Sequence, residues 1–320
     1  MLDKSDQLHD QILAAMTAPG QQFEVTETEI RGNRFKVFKN APGSMAQYFG
    51  LAMTHKDKDF IVYEGERYTY GEAYIRAQAL AYYLRHECNV EKGDKVVIAM
   101  RNYPEWVFSF MACMFLGAVV VPLNAWWLPE ELVYALGDSG AKFAIVDAAR
   151  AERFSTIPHD ERPPCLVVRG EFDVPHGMKR LEDSILTSGK SVEPLEIDPD
   201  ADATILYTSG STGNPKGAVG TQRGCVTALM NFAAYGLAYL EVEKQNGVPE
   251  QEQQAVILAV PLFHVTGLVP VCLMSFLMGR KMVMMHKWDV LDAFRLIEAE
   301  SATQFVGCLL YTSDAADESC

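Results

Sequence analysis

Short β-branched runs alternate with stretches of helical periodicity from residue 59 to residue 300, and this order narrows the available folds more than any other feature of the chain. FIVYEGERYTY (60–70) reads as two strands about the turn Glu64-Gly65-Glu66. Thr69, with Glu72 three residues on, has the spacing of a capping box, so a helix starts there. Ala73, Ala77, Leu80, Ala81 and Leu84 then share one helical face. KVVIAM (95–100) predicts a strand, Pro104 opens a helix, and AVVVPLN (118–124), a helix over 129–136 and KFAIVD (142–147) continue the series. After CLVVRG (165–170) and a polar stretch at 183–202 the pattern resumes. The strand at 203–206 is followed by a helix after Arg223, a Glu- and Gln-rich loop at 241–254 and AVILAV (255–260). A helix around 268–277, KMVMM (281–285) and a helix over 289–300 complete it. Strand–helix–strand order of this kind packs helices on a parallel sheet, so the expected class is α/β, layered, with mostly parallel sheets. Residues 1–43 are polar and weakly periodic and read as a lead-in.

Two runs test that reading. Residues 106–123 (WVFSFMACMFLGAVVVPL) are almost long enough to span a bilayer, but Gly117 and Pro122 divide them into a helix ending at Leu116 and a strand. Residues 265–278 are shorter and close on Arg280 and Lys281, so both runs are expected in the core and no transmembrane segment is expected. The first twenty residues mix charge with Leu and Ile and lack the apolar stretch of an export signal. Seven cysteines stand singly, without a CxxC pair or a histidine at ligand spacing, which disfavours zinc and fits a reducing, cytoplasmic compartment. A formal charge of −14 gives a nucleic-acid surface no support, so any anionic ligand must be held by local groups.

One such group follows the strand at 203–206. YTSGSTGNPKG (207–217) places three glycines, four hydroxyls and Lys216 in the ten residues after Tyr207. Glycines let backbone N–H groups approach an anion, hydroxyls add donors and lysine adds charge, which together make a phosphate cradle. By composition alone the same loop serves equally as an unliganded connector. It is not a Walker A element, because Pro215 and Gly217 flank Lys216.

The segment resembles the YTSGSTGxPKG signature of the adenylate-forming superfamily, the AMP-forming ligases that include acyl-CoA synthetases, peptide-synthetase adenylation domains and beetle luciferases. YTYGE (68–72), GDKVV (93–97) with Asn102, Pro104 and Glu105, and Gly117-Ala118 with PLN (122–124) are similar to further segments of that family, in the same order, over residues 44–307. Packing roles are expected for these N-terminal pieces. The resemblance implies that Thr208, Ser209, Gly210, Ser211, Thr212, Gly213 and Lys216 grip the β- and γ-phosphates of ATP, with Thr208 a contact for Mg2+. PLFHVTG (261–267) resembles the segment lining the carboxylate pocket, which implies substrate roles for Phe263, His264 and Gly267. A lone histidine beside an apolar run is by itself more often a packed core residue; the resemblance assigns His264 to shaping the pocket.

The implied protein is an ATP-dependent ligase that activates a carboxylic acid, a fatty acid in the leading reading, as an acyl-adenylate and passes it to CoA. Amino-acid or aryl-acid adenylation and non-catalytic nucleotide binding are the alternatives. Residues 44–307 then form part of the family's large N-terminal domain. The tail CLLYTSDAADESC (308–320) instead resembles one reading frame of a sequencing adapter and is expected to be non-native. The family's adenylating lysine has no match here, so no catalytic residue is assigned and little activity is expected of this chain alone.

Overall fold

The structure is a computed structural model that describes residues 4–170, 174–208, 214–249 and 252–307. In chain order come α1 (Lys4–Met16), β1 (Val25–Ile30), β2 (Asn33–Phe38), α2 (Met45–Leu51), β3 (Asp59–Tyr63), β4 (Glu66–Thr69), α3 (Tyr70–His86) and β5 (Lys95–Ala99). They are followed by α4 (Pro104–Leu116), β6 (Val119–Pro122), α5 (Pro129–Ser139), β7 (Phe143–Asp147), α6 (Ala148–Ser155), β8 (Cys165–Val168), β9 (Met178–Arg180) and α7 (Asp183–Leu186). The last third holds β10 (Asp202–Thr208), β11 (Lys216–Thr221), α8 (Gln222–Gln245), β12 (Ala255–Leu258), a π-helical stretch (Gly267–Leu273), α9 (Met274–Met278), β13 (Lys281–Met284), α10 (Val290–Glu300) and β14 (Gln304–Phe305).

Two large sheets result. The first runs β11-β10-β6-β5-β7-β8-β9 and the second β14-β12-β13-β3-β4, both parallel except for the terminal pairs β10–β11 and β3–β4. Side-chain alternation along β5 reveals the layering. Val96 and Ile98 join the large central core, whereas Val97 and Ala99 join a second core with Leu132, Leu136 and Phe154 of α5 and α6. On the second sheet Val256, Leu258 and Met282 face the central core, and Ile257 and Val283 face Ala293 of α10. Helix α4 lies in the central layer, buried on every side, which explains why its sequence looks like a membrane span. It stops at Gly117, whose φ of 65° suits a left-handed C-cap, and β6 begins two residues later.

The expected capping box is present, with Glu72 N–H donating to Thr69 Oγ1 and Thr69 N–H to Glu72. Three details depart from the sequence reading. Residues read as a polar lead-in form α1, which packs on α8, and the hairpin β1–β2, and they bury Phe23 completely. The expected loop at 241–254 is helical up to Gln245. β11 is an antiparallel strand that the alternation did not foreshadow.

Of the 265–278 run, Gly267, Leu268 and residues 271–276 are buried as expected, whereas Val265 is exposed, and the run contains a π-helix around Pro270, which has no N–H to donate. Carbonyls released there are taken up by other donors: Arg280 Nη2 reaches Pro270 O at 2.9 Å, and Tyr48 Oη reaches Leu273 O at 2.8 Å. Among the described residues one helix, α8, is long and apolar enough to cross a membrane by length and composition; it packs Val226, Leu229, Met230, Ala233 and Ala234 into the central core.

Candidate functional site

In open α/β sheets ligands settle beyond the carboxyl ends of the strands, and here those ends of both sheets meet. Asn102, just past β5, joins them. Its Nδ2 donates to Val260 O (3.2 Å) beyond β12 and Met285 O (3.4 Å) beyond β13, and its Oδ1 accepts from Leu262 N–H (2.9 Å). The carboxamide is buried and engaged on both sides. A second tie is Arg169, past β8, whose guanidinium binds both carboxylate oxygens of Glu66 and one of Glu105, each at 2.8 Å. It also lies over the rings of Tyr63 and Tyr103. The hydrogen bonds from Arg169 hold the Glu66 carboxyl below the usual glutamate range.

The ends of the YTSGSTGNPKG segment are carried by the β10–β11 hairpin, whose last pair is Thr208 with Lys216. The Lys216 side chain is exposed, and Thr208 Oγ1 donates to Lys216 O at 3.4 Å. Ser209, Gly210, Ser211, Thr212 and Gly213 lie outside the described residues. Gly217 and Gly220 serve the hairpin itself, since a Cβ would come within 2.7 Å of Ile205 Cγ2 at the first and 2.8 Å of Thr204 Oγ1 at the second. Tyr207 anchors the base of the loop. Its hydroxyl donates to Asp138 Oδ2 on α5 (2.6 Å), and burial together with that carboxylate raises its pKa above the ordinary tyrosine value.

The second segment, residues 261–267, turns sharply out of β12. Gly267 is buried with its Cα against the carbonyls of Pro261 and Val260, where any side chain would collide. His264 is half-buried, and its Nδ1 accepts from Thr266 N–H (3.2 Å), so the ring proton sits on Nε2. Phe263 meets Trp126 edge-on, centroids 5.3 Å apart, and the Arg101 guanidinium lies over the other ring system at 5.3 Å from the Trp126 centroid. Nearby, His286 packs on Tyr103; burial, then Arg101, lowers its pKa, and its Nδ1 is buried without a hydrogen-bond partner among the described residues.

Between the two segments runs residues 124–128. A buried ion pair holds it from beneath: Asp147 caps α6 and pairs with Arg150, whose Nε donates to Ala125 O (2.7 Å). Arg153 Nη1 adds bonds to Ala125 O and Trp127 O. Trp127 then faces Tyr207, centroids 5.8 Å apart. Motif reading identified Thr208, Lys216, Phe263, His264 and Gly267, and the fold carries both of their segments at the carboxyl ends of its strands. It did not single out Trp126, Trp127 and Arg169, whose ring and ion-pair partners lie far away in the chain, nor the Asp147–Arg150 pair, whose members are three residues apart but whose hold on Ala125 O appears only in the fold.

A family model described as AMP-binding enzyme matches residues 51–308. The chain belongs to this family. Among curated relatives, 4-coumarate–CoA ligase 1 of Solanum tuberosum is 28% identical over 239 residues, covering 74% of this chain and 41% of the relative. The N-terminal domain of FACL13 from Mycobacterium tuberculosis, solved with an inhibitor, superposes with a TM-score of 0.65 and 26% identity, covering 82% of this chain and 62% of that one. The o-succinylbenzoate CoA synthetase MenE of Bacillus subtilis, in complex with AMP, gives 0.59 and 25%, covering 85% and 64%. The chain thus spans about two-fifths of the curated relative's length. Its architecture is that of the N-terminal domain of adenylate-forming enzymes, and its homologues are CoA ligases.

Proposed function

We propose that this chain carries the nucleotide and carboxylate sites of an ATP-dependent ligase that joins a carboxylic acid, a fatty acid in the leading reading, to CoA through an acyl-adenylate. One observation carries the reading: the β10–β11 hairpin presents Thr208 and the exposed Lys216 at strand ends, with the 261–267 segment linked to it through Trp127 and Trp126. The carboxylate oxygen attacks the α-phosphorus of ATP, the bond to the bridging oxygen breaks, and pyrophosphate leaves. The CoA thiolate next attacks the acyl carbon and AMP departs with the electron pair. Lys216 and the loop N–H groups offset charge on the β- and γ-phosphates, and His264 Nε2–H, Phe263 and Gly267 shape the acid pocket.

Mg2+ would enter with the triphosphate. No group of three His, Cys, Asp or Glu fit to hold a metal occurs among the described residues, which suits an ion held largely by phosphate oxygens with the Thr208 hydroxyl beside it. The apolar run after His264 would suit an alkyl acid, although its Leu268, Val271 and Leu273 are members of the packed central core. The Trp126–Phe263 pair favours a second reading, an aryl acid, in keeping with the relatives named for 4-coumarate and o-succinylbenzoate. We place the parent activity in the cytoplasm, a compartment suited to the free thiols of Cys88, Cys113, Cys165, Cys225 and Cys272. Complete turnover is assigned to a longer protein that supplies the adenylating lysine, and this chain alone is expected to release little pyrophosphate.

Calorimetric titration of the purified chain with Mg-ATP tests the assignment. Lys216→Ala is expected to weaken binding about tenfold or more, the scale of one lost charge-assisted contact; unchanged affinity refutes it. Titration of the same protein with a C8–C16 fatty-acid series against 4-coumarate separates the alkyl and aryl readings.

A further inference from the structure

Trp126 and Trp127 are neighbours in the chain, yet their rings serve different halves of the site. Trp127 stands edge-on to Tyr207 at an interplanar angle of 71°, and Trp126 edge-on to Phe263 at 81°. Both are half-buried, so filling the core is not their main contribution. The backbone beneath them is held to an unusual degree. Asn124 Oδ1 accepts from Trp126 N–H (2.9 Å), Arg150 Nε and Arg153 Nη1 converge on Ala125 O, and Arg153 also takes Trp127 O. Arg150 is itself fixed by the buried Asp147 carboxylate, which in addition accepts from Arg101 N–H. Ala125 is buried, so its carbonyl needs donors in any case; the same bonds also fix the backbone that carries both rings.

We propose that Trp126 and Trp127 form one positioning unit that couples the β10–β11 hairpin, through Tyr207, to the 261–267 segment, through Phe263. A nucleotide held at Thr208 and Lys216 settles Tyr207 against Trp127, and the rigid backbone passes that displacement through Trp126 to Phe263. Coupling of this kind is reciprocal, so the acid also tightens the nucleotide. Its value to the reaction is geometric, because attack requires the carboxylate oxygen and the α-phosphorus to be aligned together. The inference rests on the assignment of the two segments given above.

Hydrogen exchange of the full 320-residue chain tests it in two stages. Without ligand, Trp127→Ala removes the ring on Tyr207 and leaves the Trp126–Phe263 contact in place. Exchange is expected to rise about fivefold, within the range that one edge-to-face aromatic pair supports, at residues 203–208 and also at 261–267. Trp127→Phe should restore both. A rise at 203–208 alone overturns the proposal. Should Trp127→Ala also expose β7, and so report unfolding, Phe263→Leu is measured from the other end and must raise exchange at 203–208; no rise there overturns the proposal equally. In the second stage Mg-ATP is added. Wild type should gain protection at 214–221 and at 261–267, and Trp126→Ala at 214–221 only. Equal protection of 261–267 in both proteins refutes the coupling. If Mg-ATP protects neither segment of the wild type, the nucleotide assignment fails, while the ligand-free comparison still decides whether the two segments are linked.

Discussion

Asp147 and Arg150 are both buried, and each satisfies the other while holding a neighbouring backbone group. Asp147→Ala would strand the Arg150 guanidinium in the interior and remove the α6 cap. The expected loss is about 3 kcal/mol or more, read as a lower denaturant midpoint, because an unpaired buried charge is costlier than its missing partner. Gly267→Ala should damage stability by a different route, forcing a methyl group into the carbonyls of Pro261 and Val260. The segments holding Thr208, Lys216 and Phe263 could be singled out in the sequence because contiguous motifs carry them. Arg169 was not, since it meets Glu66 from 103 positions away and nothing in its local sequence announces the encounter.

The capping box at the start of α3 is a feature of the element alone. Thr69→Ala should cost about 1 kcal/mol, and Glu72→Ala somewhat less, measured by chemical denaturation. Local signals of this kind explain why the elements were readable: Pro104 and Gly117 bracket α4, and Asp289 caps α10 by accepting from Asp292 N–H. The elements that escaped have weaker local patterns. β1 alternates exposed with half-buried positions and β2 is exposed until Val37 and Phe38; the two meet around Arg31 and Gly32, both at positive φ, and derive order from the hairpin and from packing of β2 on α8. The acidic end of α8 looked like a loop because its charges obscured the apolar face on which Ala238 and Val242 are buried.

At the scale of the whole molecule, acid should destabilise the fold in two steps. His286 has a pKa below its ordinary 6.5, for burial and Arg101 both oppose its charge. The unfolded chain therefore takes up that proton first, and stability begins to fall as pH drops below that value. Glu24, Glu66, Asp200 and Glu300 have depressed values too. Hydrogen bonds from Lys39, Arg169 and Arg223 dominate in the first three, and at Glu300 the opposing effect of burial is outweighed by Lys281 and Arg67. Their contribution is complete above the unfolded carboxylate values and disappears as pH falls through the lower folded ones. A denaturation series from pH ~7 to ~3 should show a shallow decline followed by a steep one, and His286→Asn should abolish the first limb. Across both sheets the amide of Asn102 acts as a rivet. Aspartate at that point would offer no hydrogens to the Val260 and Met285 carbonyls, and glutamine would overreach by a methylene, so among carboxyl and carboxamide side chains asparagine alone fits. The codon for residue 102 therefore has little mutational latitude, although the residue need touch no substrate.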